Sequence, residues 1–221
     1  MKKIKQIAAA IALATTAPQV LADVSVTGTL TSDYVFRGVS QTDSGPAIQA
    51  SLDYEHENGF FAGVWASNVD FEDDADIEID YFAGYFGEIN DSLSYDISYT
   101  YYTYTGYSSA DDSDYGEIIF NAYIDALTLT LGHAADFVNS GDSAQYVSAA
   151  YDFELPNEYA LTVQAGYTFG DAYEDFEYVD YSATVAKTFN GFDVSAAIIN
   201  TDIDDYDAAD LRFVLGVSRT F

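Results

Sequence analysis

Cysteine is absent from all 221 residues, so no disulfide framework can hold this chain together. Basic residues are nearly as scarce: seven Lys and Arg stand against 37 Asp and Glu. Three of the seven are Lys2, Lys3 and Lys5, which leaves Arg37, Lys187, Arg212 and Arg219 for the rest of the chain. Beyond residue 22 the net charge is then −33, which excludes nucleic acid and docking on anionic phosphate and favours cations as partners. No long unbroken apolar run occurs past the first 22 residues, so a helical membrane protein is excluded and any insertion must be by strands. Disorder is excluded as well, because 49% of residues are hydrophobic and 16% aromatic, with 20 Tyr and 15 Phe.

The basic start, the apolar stretch 7–14 and the small-residue site Val20-Leu21-Ala22 read as a cleaved secretory signal over 1–22. That places the chain on an export route and leaves residues 23–221 as one domain, with no linker.

Period-two alternation organises this domain, in stretches of about ten residues split by turn chemistry. Val24, Val26, Leu30, Tyr34 and Phe36 share one face, while Ser25, Thr27, Thr29, Thr31 and Asp33 share the other. Ile48, Leu52 and Tyr54 oppose Asp53; Ile77, Ile79 and Tyr81 oppose Glu78 and Asp80; Ile97, Tyr99 and Tyr101 oppose Asp96. Leu127, Leu129 and Leu131 oppose two threonines, Tyr151 and Phe153 oppose Asp152, and Leu161, Val163 and Tyr167 oppose Thr162 and Gln164. The stretches 60–69, 116–124, 178–189 and 192–200 are less clean, and in 60–69 either face could meet lipid.

Short turns (57–59, 88–91, 125–126, 156–158, 190–191) alternate with longer, acidic loops (37–46, 70–76, 105–114, 139–143, 170–177, 200–209). Five turns and six loops join about twelve strands, with both termini on the periplasmic side. Asn190-Gly191 is a type I′ hairpin signal, and Pro46 and Pro156 fall at strand boundaries. The last stretch sets Leu211, Phe213, Leu215, Val217, Arg219 and Phe221 on one face; Arg219 can snorkel to the interface, and the terminal aromatic is a signal for the barrel insertion machinery. The fold these features predict is all-β: a single up-and-down antiparallel transmembrane barrel in the outer membrane of a Gram-negative bacterium, in contact with lipid and lipopolysaccharide. Tyr and Phe at strand ends would form its interfacial girdles.

The motif SDYVFRG over 32–38, followed by GPAIQASLDY over 45–54, AGVWASN over 62–68 and IDYFAGY over 79–85, resembles the TorF-type porin family, across essentially all of 23–221. The resemblance implies an outer-membrane porin, with trimethylamine oxide among its possible solutes, and transfers no catalytic residue.

Arg37 is one of four bases past the leader and sits close in sequence to Asp33 and Asp43. Bidentate pairing with a carboxylate would make it either a lumen constriction or a structural tie. Asp33, Asp53, Glu78, Asp80, Asp96, Glu117, Asp152 and Asp180 fall on wet faces, with Arg212 as the main opposing charge. If they line water they select cations; otherwise they fill a narrow interior, and a twelve-stranded barrel lies between those two limits. The loop clusters Asp73, Asp74 and Asp76, then Asp111, Asp112 and Asp114, then Asp202, Asp204, Asp205 and Asp207 are solvated acidic loops or calcium and magnesium ligands, none in EF-hand register. Neither His56 nor His133 has a Ser two residues on, so the sequence predicts no enzyme and no catalytic residue. It predicts no cofactor beyond a loop-bound divalent ion, and a passive channel for small neutral or cationic solutes, its oligomeric state left open. The opposing expectation is a non-conducting barrel whose acidic loops bind cations, lipopolysaccharide or a protein.

Overall fold

Each alternating stretch has one oily face that must be kept from water, and the chain turns all of these faces outward. In a computed structural model, which describes residues 23–71, 75–107 and 113–221, twelve antiparallel strands close into a barrel. The wall is β1 (Asp23–Thr31), β4 (Ala47–Glu55), β5 (Phe60–Asn68), β6 (Ile77–Asn90), β7 (Leu93–Thr105), β8 (Tyr115–Ile124) and β9 (Leu127–Ala134). It continues through β10 (Ala144–Leu155), β11 (Tyr159–Phe169), β12 (Tyr178–Phe189), β13 (Phe192–Thr201) and β14 (Arg212–Thr220). Two further strands, β2 (Val35–Phe36) and β3 (Val39–Ser40), form a small hairpin outside that ladder. Each wall strand pairs with its neighbour in sequence, and β14 returns to β1 with Thr27 opposite Thr220 and Thr31 opposite Gly216. Closure leaves no unpaired edge, which lipid requires. The leader expected at 1–22 lies outside the described residues.

The outer surface is an apolar belt: Ile48 is 71% exposed, Phe213 73%, and Leu131, Leu215 and Leu30 all more than half. An exterior of this kind has no place in water and suits hydrocarbon. Outward aromatics form two bands, Tyr54, Tyr151, Phe153 and Phe192 toward the short turns, and Tyr101, Tyr167 and Tyr181 toward the long loops. In the ambiguous stretch 60–69, register puts Phe60, Ala62, Val64 and Ala66 outside and buries Trp65 within.

The start of β1 and the C-terminal Phe221 sit at the short-turn end, where Phe221 exchanges backbone hydrogen bonds with Val26. The Arg219 guanidinium rests over the rings of Phe192 and Phe221, 5.0 and 4.8 Å from their centroids, so it stays outside yet reaches the barrel rim. At Asn190-Gly191 both φ angles are positive, 51° and 80°, as the I′ turn demands.

Several boundaries differ from expectation. The short turn placed at 88–91 is only Asp91-Ser92, because β6 continues to Asn90 through an irregularity between Glu88 and Asn90. The first strand stops at Thr31, not at Phe36. Tyr34 and Phe36 therefore do not face lipid: the chain turns into the barrel at Asp33, and Tyr34 is buried against Trp65 with ring centroids 5.2 Å apart. The connection between the first two wall strands is consequently residues 32–46, and Arg37 lies at its tip instead of at the mouth of β1.

Candidate functional site

The first connection folds inward because its own residues supply every bond that the turn needs. Val35 pairs with Ser40 and Phe36 with Val39, the Gln41 N–H donates to the Tyr34 carbonyl at 2.7 Å, and the Tyr34 N–H donates to the Thr42 hydroxyl at 3.1 Å. The tip is Arg37-Gly38, with φ of 48° and 85°, the two positive angles of a type I′ turn. Only glycine fits the second position, since a Cβ there would lie 2.5 Å from Thr201 Cγ2 and 2.8 Å from the Asp180 Cβ.

Two buried ion pairs fix the hairpin across the lumen, the only two among the described residues. At its root, Asp33 Oδ2 accepts from Arg212 Nη1 at 2.6 Å, while Oδ1 accepts from the Ser40 hydroxyl at 2.6 Å and lies 3.1 Å from the Thr42 hydroxyl. At its tip, Arg37 Nη2 donates to Glu117 Oε1 at 2.6 Å and Oε2 at 2.8 Å, and the Tyr102 hydroxyl donates to the same carboxylate at 3.1 Å. The guanidinium lies between Phe36 and Tyr146, 4.6 and 4.3 Å from their ring centroids. Gly132 leaves room for the pair: a Cβ there would meet Glu117 Oε1 at 2.5 Å and Arg37 Nη2 at 3.0 Å. Burial alone would lower the Arg37 pKa, but the Glu117 carboxylate outweighs it and holds the guanidinium above its ordinary value, so Arg37 stays charged.

The hairpin thus meets the wall at β5 through Tyr34, β7 through Phe36, β8 and β10 through Arg37, β12 and β13 through Gly38, and β14 through Asp33. It crosses the lumen at the long-loop end. The motif over 32–38 is this hairpin: Asp33 roots it, Tyr34 packs it, Arg37 and Gly38 make its tip.

The other expected lumen residues separate by depth. Glu78 and Asp80 are buried on the inner face of β6, beside the hairpin; Tyr104 donates to Glu78 Oε1 at 3.3 Å, while Glu78 Oε2 and Asp80 Oδ1 have no hydrogen-bond partner among the described residues. Asp180 accepts from Tyr146 at 3.3 Å and Gln164 at 3.4 Å through Oδ1, its Oδ2 likewise unpartnered. Nearer the short turns, Asp96 accepts from Tyr123 at 2.6 Å and from Asn121 at 3.1 Å, Asp152 from Thr162 at 2.5 Å, and Asp53 from Ser51 at 2.6 Å. Neutral donors hold these three, and neither ion pair involves them.

Beside the aromatics that the sequence predicts for outer girdles, the structure holds a second population inside. Tyr102, Tyr115, Tyr146 and Tyr178 are all buried and share inward register with Asp96, Glu117, Asp152 and Asp180 respectively. That shared parity with the acids was the available signal. Above the hairpin Tyr115, Tyr178 and rings of the loops line a cavity of about 530 Å³.

Of the acidic loops, Asp73, Asp74, Asp111 and Asp112 lie outside the described residues. Asp202 accepts from the Val179 N–H at 2.7 Å, which engages one of its oxygens with the backbone, and no group of three or more potential metal ligands forms among the described residues. His56 bonds Asn58 at 2.7 Å and His133 bonds Gln145 at 3.1 Å, both amide partners.

A family model described as a bacterial protein of unknown function (Gcw_chp) matches residues 14–220. No curated protein matches the sequence. Among solved structures, the chain is similar to a KdgM porin, with a TM-score of 0.59 at 11% identity, over 89% of this chain and 99% of that one. A NanC porin gives 0.57 at 8% identity, over 90% and 98%. At such identities the likeness establishes the fold: the same barrel architecture, spanning nearly the whole of each chain.

Proposed function

The chain belongs to the bacterial Gcw_chp family, and from its fold and the charge of its lumen we propose that it is an outer-membrane porin for passive diffusion of small neutral or cationic solutes. The observation that carries this reading is a closed barrel, apolar outside, whose interior holds six acidic side chains outside the two ion pairs found among the described residues: Asp53, Glu78, Asp80, Asp96, Asp152 and Asp180. Such a lining concentrates cations and repels anions. The hairpin tip sets the narrowest passage, with the Arg37–Glu117 pair as its latch. In this reading residues 1–22 export the chain, Phe221 presents it to the insertion machinery, and the long loops face lipopolysaccharide outside. The finer TorF-type label, with trimethylamine oxide among the solutes, belongs to the same proposal.

The hairpin's span across the lumen also favours a second reading, a non-conducting barrel whose acidic loops bind calcium, magnesium or lipopolysaccharide. Liposome swelling separates the two. Proteoliposomes placed in isotonic solutions of size-matched cationic, neutral and anionic solutes are expected to swell faster with the first two than with the third; no swelling above protein-free vesicles refutes the porin.

A further inference from the structure

The cavity above the hairpin has a chemistry of its own. Phe36, Val39 and Gln41 line it from below. Arg37 and Gly38 reach wall positions 117, 146 and 180, one inward step deeper than the cavity-lining Tyr115 and Tyr178, so the hairpin is the floor. The walls are rings that brace one another: Tyr115 meets Phe137 edge-on at 4.9 Å, Phe137 meets Tyr173 at 5.4 Å, and Tyr173 meets Tyr178 at 6.0 Å. Rings fixed by such contacts form a cup without a ligand's help.

Among the described residues no basic side chain lines this cup, and Arg37 is engaged below the floor with Glu117. Of the described residues one carboxylate does: Glu78, 3% exposed, whose Oε1 accepts from Tyr104 and whose Oε2 has no hydrogen-bond partner among those residues. A buried carboxylate oxygen left unpaired is costly and calls for a positive or donating group. Ring faces carry negative potential and attract cations bearing apolar substituents. A bare divalent ion would want six to eight oxygens, whereas the described lining is mostly aromatic and apolar, with Glu78 its one carboxylate. The volume of about 530 Å³ suits a small molecule.

We propose that this cavity binds a small organic cation of the alkylammonium class, its charge against Glu78 and its alkyl groups on the tyrosine and phenylalanine rings. The proposal deepens the porin reading, on which it rests for the solute's entry from the loop side. Binding itself needs no conduction.

The experiment is calorimetric titration of the folded full barrel in detergent micelles with choline, with 3,3-dimethylbutan-1-ol as its uncharged isostere, and with glucose. Choline is expected to bind about tenfold or more tightly than either neutral compound. Glu78→Gln is expected to weaken choline by about tenfold while leaving the isostere unchanged, and Tyr173→Ala, in the connection between β11 and β12, to weaken choline as well. Equal affinity for choline and its isostere, binding of glucose alone, or no binding of choline overturns the proposal. Planar-bilayer recording on the same preparation separates the two readings. Choline binding without conduction supports this site and counts against the porin, whereas conduction without choline binding does the reverse.

Discussion

Replacing Arg37 with Ala tests the latch directly. The guanidinium and the Glu117 carboxylate are 10% and 1% exposed, joined by contacts of 2.6 and 2.8 Å. Removing one partner from a buried pair costs roughly 3–5 kcal/mol, because Glu117 is left with only the Tyr102 hydroxyl. The wall strands are held by continuous backbone ladders, so that loss falls on hairpin docking. At about 1.4 kcal/mol per decade, the docked-to-undocked ratio drops by roughly two to three and a half decades. Single-channel recording of Arg37→Ala is expected to give larger, longer openings than the wild type, with stronger cation preference because Glu117 is unmasked. Replacing both partners with Met, which removes the uncompensated charge, is expected to restore near wild-type openings. Unchanged conductance and open time in Arg37→Ala, in a barrel that keeps its heat-shifted migration on gels, would refute the latch.

Gly38→Ala places a Cβ 2.5 Å from Thr201 Cγ2 at a φ of 85°, a strain of roughly 1–3 kcal/mol; hydrogen exchange at 35–40 is expected to accelerate while the wall strands hold, and equal protection there would contradict the docking geometry. Arg212→Ala strands the buried Asp33 carboxylate and is expected to cost roughly 3–5 kcal/mol in chemical denaturation, a midpoint shift that a surface variant such as Glu158→Ala does not produce. Leu131→Arg, on the outward face, is expected to destabilise the barrel in lipid by roughly 2–4 kcal/mol, whereas Gln164→Arg, inward beside Asp180, costs far less; equal losses would contradict the facing of both strands.

The wall was legible in the sequence wherever alternation and turn chemistry agreed. Asn190-Gly191 fixed one hairpin, and the run from Leu211 to Phe221 fixed an outward face, because lipid demands an apolar side chain at every second position. The same rule failed at Tyr34 and Phe36. Their parity continues that of Val24, Val26 and Leu30, yet parity has meaning only while the strand lasts, and β1 ends at Thr31. The tight turn at Arg37-Gly38, where both φ angles are positive, is signalled in the sequence only by Gly38, because arginine is an uncommon residue in that conformation. Alternation puts the wall acids on inner faces and misplaces Asp33, which lies past the end of β1; which of the acids meet a base depends on pairing across the lumen. Arg37 reaches Glu117 across 80 residues and Arg212 reaches Asp33 across 179, separations that no local pattern encodes. The inward tyrosines were missed for a related reason: Tyr is equally at home in an interfacial girdle and in a polar lumen, and only its parity with Asp or Glu tells the two apart.

The central claim is that the barrel conducts through a negatively lined lumen narrowed by its first hairpin. The reversal potential of the wild-type protein in a planar bilayer, under a potassium chloride gradient, tests it most directly. The account requires discrete steps whose reversal potential has the sign of a cation-preferring channel; an anion-preferring sign, or a silent bilayer containing folded protein, would contradict it.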